Sequence, residues 1–213
     1  MTRFLLIRHG QSQANLDHVF GGNTDYPLKA LGHRQAEITA RFIADNYPVD
    51  AIYASPLSRA YSTAAHASNL LKLPVRVDPG LREIFAGTWE GRSFDELSSC
   101  ACEEYQNWMH DIGRVHCPGG ESVAELAERV WDSICRIARE EDGKTVLVVT
   151  HATPIRTLQW RMTGEDILYM KTIPWVSNSS VTELCWEDGR LTPVRISMDD
   201  HLQELKTTLP ANV

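Results

Sequence analysis

No apolar run in the sequence approaches the roughly 20 residues that a bilayer-spanning helix requires. The opening stretch holds only four consecutive apolar residues, 4–7, before Arg8, too few for a secretory leader. A cytoplasmic protein with no membrane partner is expected. Positive charge is also scarce, with 21 Lys and Arg against 28 Asp and Glu and a formal net charge of -7. That balance excludes a broad polyanion-binding surface, so no nucleic-acid partner is expected, although a local cluster of arginines can still hold a small anion. Cysteine is present five times, at 100, 102, 117, 135 and 185, an odd number without a CxxC pair. This usage points to reduced thiols rather than a disulfide framework. Cys100, Cys102 and Cys117 with His110 and His116 are the one grouping that suggests a metal, but their spacing is not that of a zinc ribbon. No metal and no cofactor is therefore expected. Repeats, low-complexity tracts and linker-like stretches are missing too, and residues 1–213 read as a single domain. A chain of this length buries roughly 70–75% of its unfolded surface and needs no staple.

What is present reads as an alternation of strands and helices. Residues 4–7 form a continuous apolar run, as expected of a strand buried on both faces. A loop through Gly21 and Gly22 leads to a helix over about 31–46, with Ala36, Ala40, Ile43 and Tyr47 at helical spacing. A strand over 51–54 and a helix after Ser58, with Ala60, Ala64, Ala67 and Leu71 on one stripe, come next. A short strand is expected near 75–77. Residues 85–120 lack clean periodicity and read as an inserted cap of short helices and loops. Ser122 and Glu125 form a capping box for a helix whose stripe is Val123, Leu126, Val130, Ile134 and Ile137. Residues 146–149 are a second buried strand, 153–162 look helical, and 181–186 with 191–196 read as a hairpin around Asp188-Gly189. The order implies a three-layer α/β/α sandwich with a mostly parallel central sheet and a small cap. The tail after Ile196 shows no packing pattern and reads as mobile or as part of an interface, so a homodimer is one expectation.

Chemistry collects directly after three of these strands: Arg8-His9-Gly10, Ser55-Pro56-Leu57-Ser58-Arg59 and Thr150-His151-Ala152. Ligands of open parallel sheets bind outside the carboxyl ends of the strands, so these segments are expected to meet at one rim. That rim would present two guanidinium forks and several helix-start N–H groups, a set suited to phosphoryl oxygens. A neutral imidazole there can attack phosphorus, and nearby cations hold its pKa down. An isolated strand-end His or Arg is usually an ordinary polar residue; two of each in one chain argue for a site.

The motifs then resemble the histidine phosphatase, or phosphoglycerate mutase-like, superfamily. The leading match is LLIRHGQSQAN, residues 5–15. Residues 20–36, FGGNTDYPLKALGHRQA, follow the family pattern, with Lys29 for the usual Thr and Gly21 for the common Gln. YASPLSRAYST at 53–63, LREIFAGTWEG at 81–91, PGGES at 118–122, VVTHATPIR at 148–156 and SNSSVTEL at 177–184 complete the series.

The resemblance implies that His9 is the phosphorylated nucleophile. It implies that Arg8, Arg59 and His151 hold the phosphoryl group, and that Ser12, Asn15, Gly21, Gly22 and Ala152 bind it or the adjacent substrate. Glu83 would donate a proton to the leaving oxygen and then activate water. The substrate would be a small phosphorylated metabolite. The acid block runs Glu83-Ile84-Phe85-Ala86-Gly87-Thr88-Trp89-Glu90-Gly91, unlike the E-R-H-Y-G block of the mutases, and is similar to that of broad-specificity and α-ribazole phosphatases. A phosphatase is expected, with a cofactor-dependent phosphoglycerate mutase and a non-catalytic phosphate-binding protein as alternatives. The cap aromatics Phe85, Trp89, Tyr105 and Trp108 can serve either as a stacking wall for substrate or as the cap's own core.

Overall fold

The computed structural model describes residues 1–100 and 102–207. Along the chain run β1 (Thr2–Arg8), α1 (Gln13–Asp17), α2 (Ala30–Asn46), β2 (Ala51–Ala54), α3 (Ser58–Leu71), β3 (Val75–Val77), α4 (Phe94–Ser99), α5 (Glu103–His110), α6 (Val123–Glu140), β4 (Thr145–Thr150), α7 (Ala152–Arg161), β5 (Val181–Glu187) and β6 (Arg190–Met198). One six-stranded sheet has the order β3-β2-β4-β1-β5-β6. The first four strands are parallel, while β5 and β6 join antiparallel at the other side. The mostly parallel sheet is as the sequence suggests; the antiparallel pairing of β5 on β1 is an addition to it.

Alternation along β1 divides the core in two. Phe4 and Leu6 face one layer with α6, α7 and the cap, while Leu5 and Ile7 face α2 and α3. Both faces are covered, so the run is apolar throughout rather than alternating. Each fully buried Leu or Ile contributes about 1.5–3 kcal/mol relative to exposure. The stripe read on α6 is buried at every position, from Val123 to Ile137. Its Ser122 cap accepts from the Glu125 N–H at 3.1 Å, while Glu125 accepts from the Ser122 N–H at 2.8 Å.

The cap contains α4, α5 and several tight turns. Ser93 and Glu96 form a second reciprocal capping box at the start of α4. Trp89, Tyr105 and Trp108 pack into the core that the cap shares with α6, whereas Phe85, His110 and His116 are exposed. The metal grouping weighed from the sequence does not assemble: Cys117 is fully buried, and no three His, Cys, Asp or Glu converge among the described residues.

The tail differs from its expectation. After β6 a 3-10 segment, Asp200–Leu205, packs on α2, with Leu202 buried. Gln35 Nε2 donates to the Leu205 carbonyl at 2.7 Å, and Thr39 Oγ1 bonds His201 Nε2 at 2.8 Å. These partners lie far away in sequence, which is why the tail shows no local pattern. Its last residues, 208–213, fall outside the described range. Among the described residues no helix is long and apolar enough to cross a membrane.

Candidate active site

Three adjacent strands, β2, β4 and β1, end at the same level. Arg8 lies beside Thr150, and Ala54 beside Val149. The residues that follow them, His9, Ser55 and His151, therefore emerge at one rim, as the topology argument requires. The chain departs from the sheet here, so its polar groups are fixed by side chains and loops rather than by ladders.

His9 is almost wholly buried, and its ring is locked. Its Nδ1 lies 2.7 Å from the Gly10 carbonyl, which can only accept, so Nδ1 carries the proton and Nε2 keeps a lone pair. Its carbonyl accepts from Asn178 Nδ2 at 2.9 Å, and the Gly10 N–H donates to Thr63 Oγ1 at 3.0 Å. Thr63 in turn donates to the Arg59 carbonyl at 2.7 Å, so one hydroxyl couples the His9 loop to the first turn of α3. Gly10 is held against Gly32 of α2 so closely that a Cβ on either would overlap backbone of the other segment.

Two guanidiniums flank this imidazole. Arg8, at the end of β1, donates through Nη1 to the Val176 carbonyl at 2.6 Å, while its buried Nε finds no acceptor among the described residues. Arg59 donates to the carbonyls of Thr24 at 2.9 Å and Gly22 at 2.6 Å. The loop supplying those carbonyls is pinned by Glu90, which accepts from the Asn23 N–H at 2.8 Å and from Thr24 Oγ1 at 2.6 Å. Burial lowers Arg8 to about 10 and also lowers Arg59, yet both remain cations at neutral pH. Burial, then the charges of Arg59 and Arg8, hold His9 well below the usual imidazole range, so it stays neutral.

His151 caps the start of α7 and is completely buried, its ring centroid 5.1 Å from that of His9. Ser55 Oγ accepts from the Leu57 N–H at 3.3 Å and lies 2.8 Å from His151 Nε2. The hydroxyl and Nε2 share one hydrogen bond, and the ring's Nδ1 is buried with no hydrogen-bond partner among the described residues. Burial is the first cause of its lowered pKa, followed by Arg59 and His9.

Glu83 arrives from outside the strand rim. Thr150 Oγ1 donates to the Leu81 carbonyl at 2.6 Å, fastening the segment to the end of β4. Arg129 of α6 donates to the carbonyls of Gly80, Arg82 and Glu83 and pairs with Glu121. The half-buried carboxylate accepts from the Ile84 N–H at 2.8 Å and faces the Thr153 N–H at 3.4 Å.

Arg8, His9, Ser12, Asn15, Gly21, Gly22, Arg59, Glu83 and Ala152 line one recess, and the His151 ring packs edge-on beside that of His9. All ten residues expected from the sequence are thus brought together. Ser12 and Asn15 are partly engaged with each other, as the capping box of α1, a helix the sequence reading took as loop. That reading also missed Thr153, Trp175, Phe20 and Phe94 on the wall, and Thr63, Glu90 and Asn178 behind it. The Ser93–Glu96 box could have revealed α4 and hence Phe94; the others act through long-range contacts with no local signature.

The family model of the histidine phosphatase superfamily (branch 1) matches residues 4–199. The chain is 39% identical over 157 residues to the bifunctional protein Rv2228c of Mycobacterium tuberculosis, a match covering 74% of this chain and 43% of that protein. It thus spans less than half the length of that relative. It is 33% identical over 162 residues to the adenosylcobalamin/alpha-ribazole phosphatase of Escherichia coli, covering 76% and 79% of the two chains. The solved mycobacterial glucosyl-3-phosphoglycerate phosphatase with VO3 superposes with a TM-score of 0.85 at 27% identity, over 92% of this chain and 99% of that one. With that extent of match, and the motif residues gathered at one rim, the chain belongs to the histidine phosphatase superfamily, branch 1.

Proposed function

We propose that the chain is a phosphomonoesterase that moves the phosphoryl group of a small metabolite to His9 and then to water. The observation that carries this is the fixed His9 tautomer: a neutral Nε2 lone pair beside two buried guanidiniums. In the first step Nε2 attacks phosphorus, the ester P–O bond breaks, and Glu83 delivers a proton to the leaving alkoxide. In the second, the Glu83 carboxylate takes a proton from water while the water oxygen attacks phosphorus. The N–P bond breaks, and inorganic phosphate and neutral His9 result. Arg8, Arg59 and His151 meet the charge on the phosphoryl oxygens in flight. Ser12, Asn15, Gly21, Gly22 and Ala152 surround the same oxygens or the adjacent substrate. Such pre-placed donors contribute about 3–4 kcal/mol each when aimed at developing charge, and phosphoryl transfer asks for little else. Relatives named as phosphatases of quite different esters support the reaction class. The reading treats residues 1–213 as one such unit with its cap inserted at 85–120. It sets the enzyme in the cytoplasm with its cysteines reduced.

Release of phosphate from p-nitrophenyl phosphate tests the proposal. Turnover is expected to persist in chelator and to vanish in His9→Ala. Quenching a reaction with ³²P-labelled ester is expected to trap acid-labile label on the wild-type protein alone. Turnover retained by His9→Ala refutes the role of His9. Interconversion of 2- and 3-phosphoglycerate in place of phosphate release would return the mutase reading. The homodimer suggested by the sequence is tested by multi-angle light scattering.

A further inference from the structure

The recess has a charged floor and an uncharged wall. Among its described lining residues Arg8 and Arg59 are the cations, both at the phosphoryl position, and Glu83 is the one carboxyl group. Farther from His9 in character are Val19, Phe20, Phe94, Trp108 and Trp175. Phe20 meets Trp108 edge-on at 4.8 Å between centroids, and Trp108 meets Trp175 at 5.8 Å, so three rings make one continuous apolar surface. These rings come from the segment after α1, from the cap and from the loop before β5.

Trp175 is held from one side. The Arg156 guanidinium sits 3.9 Å from its ring centroid and donates to the carbonyls of Ile173 and Met170. That cation is buried in its own contacts and does not line the recess. It fixes the indole plane in place, a pre-ordered stacking surface rather than a flexible one. Trp108, almost wholly buried, backs this wall, and its indole N–H has no acceptor among the described residues.

A hydroxy-acid ester brings a carboxylate as well as its phosphate. Here that carboxylate would find both cations committed to the phosphoryl group and an aromatic surface that cannot replace its hydration. A planar ring carried by an uncharged alcohol meets the opposite conditions, since it buries against the Trp175 indole. Resting on the phosphatase reading above, we propose that this site selects phosphomonoesters of neutral alcohols bearing an aromatic or heteroaromatic ring, with Trp175 as the specificity-determining residue.

Adenosine 5′-monophosphate and ribose 5-phosphate present the same primary phosphate with and without a base, and 3-phosphoglycerate presents a carboxylate instead. The expected order of kcat/KM is adenosine 5′-monophosphate above both others, by roughly tenfold or more, the scale of one base stacked on an aromatic side chain. Trp175→Leu is expected to shrink the ratio between the first two esters, and Trp175→Phe, which keeps a ring, to retain most of it. Circular dichroism establishes that the variants are folded. Ribose 5-phosphate or 3-phosphoglycerate turned over as well as the nucleotide would overturn the proposal, as would a ratio unchanged in Trp175→Leu. Absence of turnover on every ester, p-nitrophenyl phosphate included, would instead strike the phosphatase reading and this inference with it.

Discussion

Two neutral imidazoles buried beside two guanidiniums make the fold sensitive to acid, in an amount that can be worked out. In the unfolded chain His9 and His151 titrate near 6.5. In the folded chain burial and the adjacent charges hold both well below that. The unfolded state therefore binds more protons at any pH between the two values, and stability falls as the pH is lowered from 6.5 toward the folded pKa. Above 6.5 neither state is protonated and the full stability is present. Between pH 7 and pH 5 each histidine removes at most about 2 kcal/mol, and the pair at most about 4 kcal/mol, the limit for folded rings that take up no proton in that range. Urea unfolding at the two pH values measures the loss. Other shifted histidines, His201 and His66, add to the wild-type total, so the informative quantity is a difference. His9→Asn removes one titrating group and should lessen the pH 7 to pH 5 loss by up to about 2 kcal/mol, and adding His151→Asn should lessen it further, by up to about 4 kcal/mol in all. An acid sensitivity unchanged in both variants would refute the claim that these rings are held neutral.

Ser55→Ala removes the hydroxyl that holds His151 Nε2; kcat on an aryl phosphate should fall roughly tenfold or more, the effect expected when a charge-stabilising group loses its orientation. Thr63→Val keeps the shape but strips the acceptor of the Gly10 N–H, and chemical denaturation should show a loss of about 1–3 kcal/mol for the unsatisfied donor. Gly10→Ala places a methyl group against the Gly32 backbone, and the melting temperature should drop by several degrees, as overpacking of about 1–3 kcal/mol implies.

The parts of this molecule legible in the sequence are those governed by local rules. β1 and β4 showed as unbroken apolar runs because helices cover both faces of the sheet. α6 showed through its capping box and stripe. The site residues showed because Arg8, His9, Ser55, Arg59 and His151 directly follow strands, and strand ends of a parallel sheet share a rim. What stayed hidden depends on contacts across long separations. The six residues of α4 and eight of α5 are too short for a period to emerge. The Asp200–Leu205 segment has one buried anchor, Leu202, and takes its other bonds from α2. Glu90 and Thr63 read as ordinary polar residues; only the fold reveals that one pins the loop under Arg59 and the other joins that arginine's helix to His9.

The strand bearing Arg8 is made well before both of its neighbours in the sheet, residues 145–150 and 181–187. That stretch must therefore wait, unpaired and apolar, until those two have emerged. Truncated translation products should carry no competent catalyst, and nascent chains should draw on chaperones at this sticky stretch.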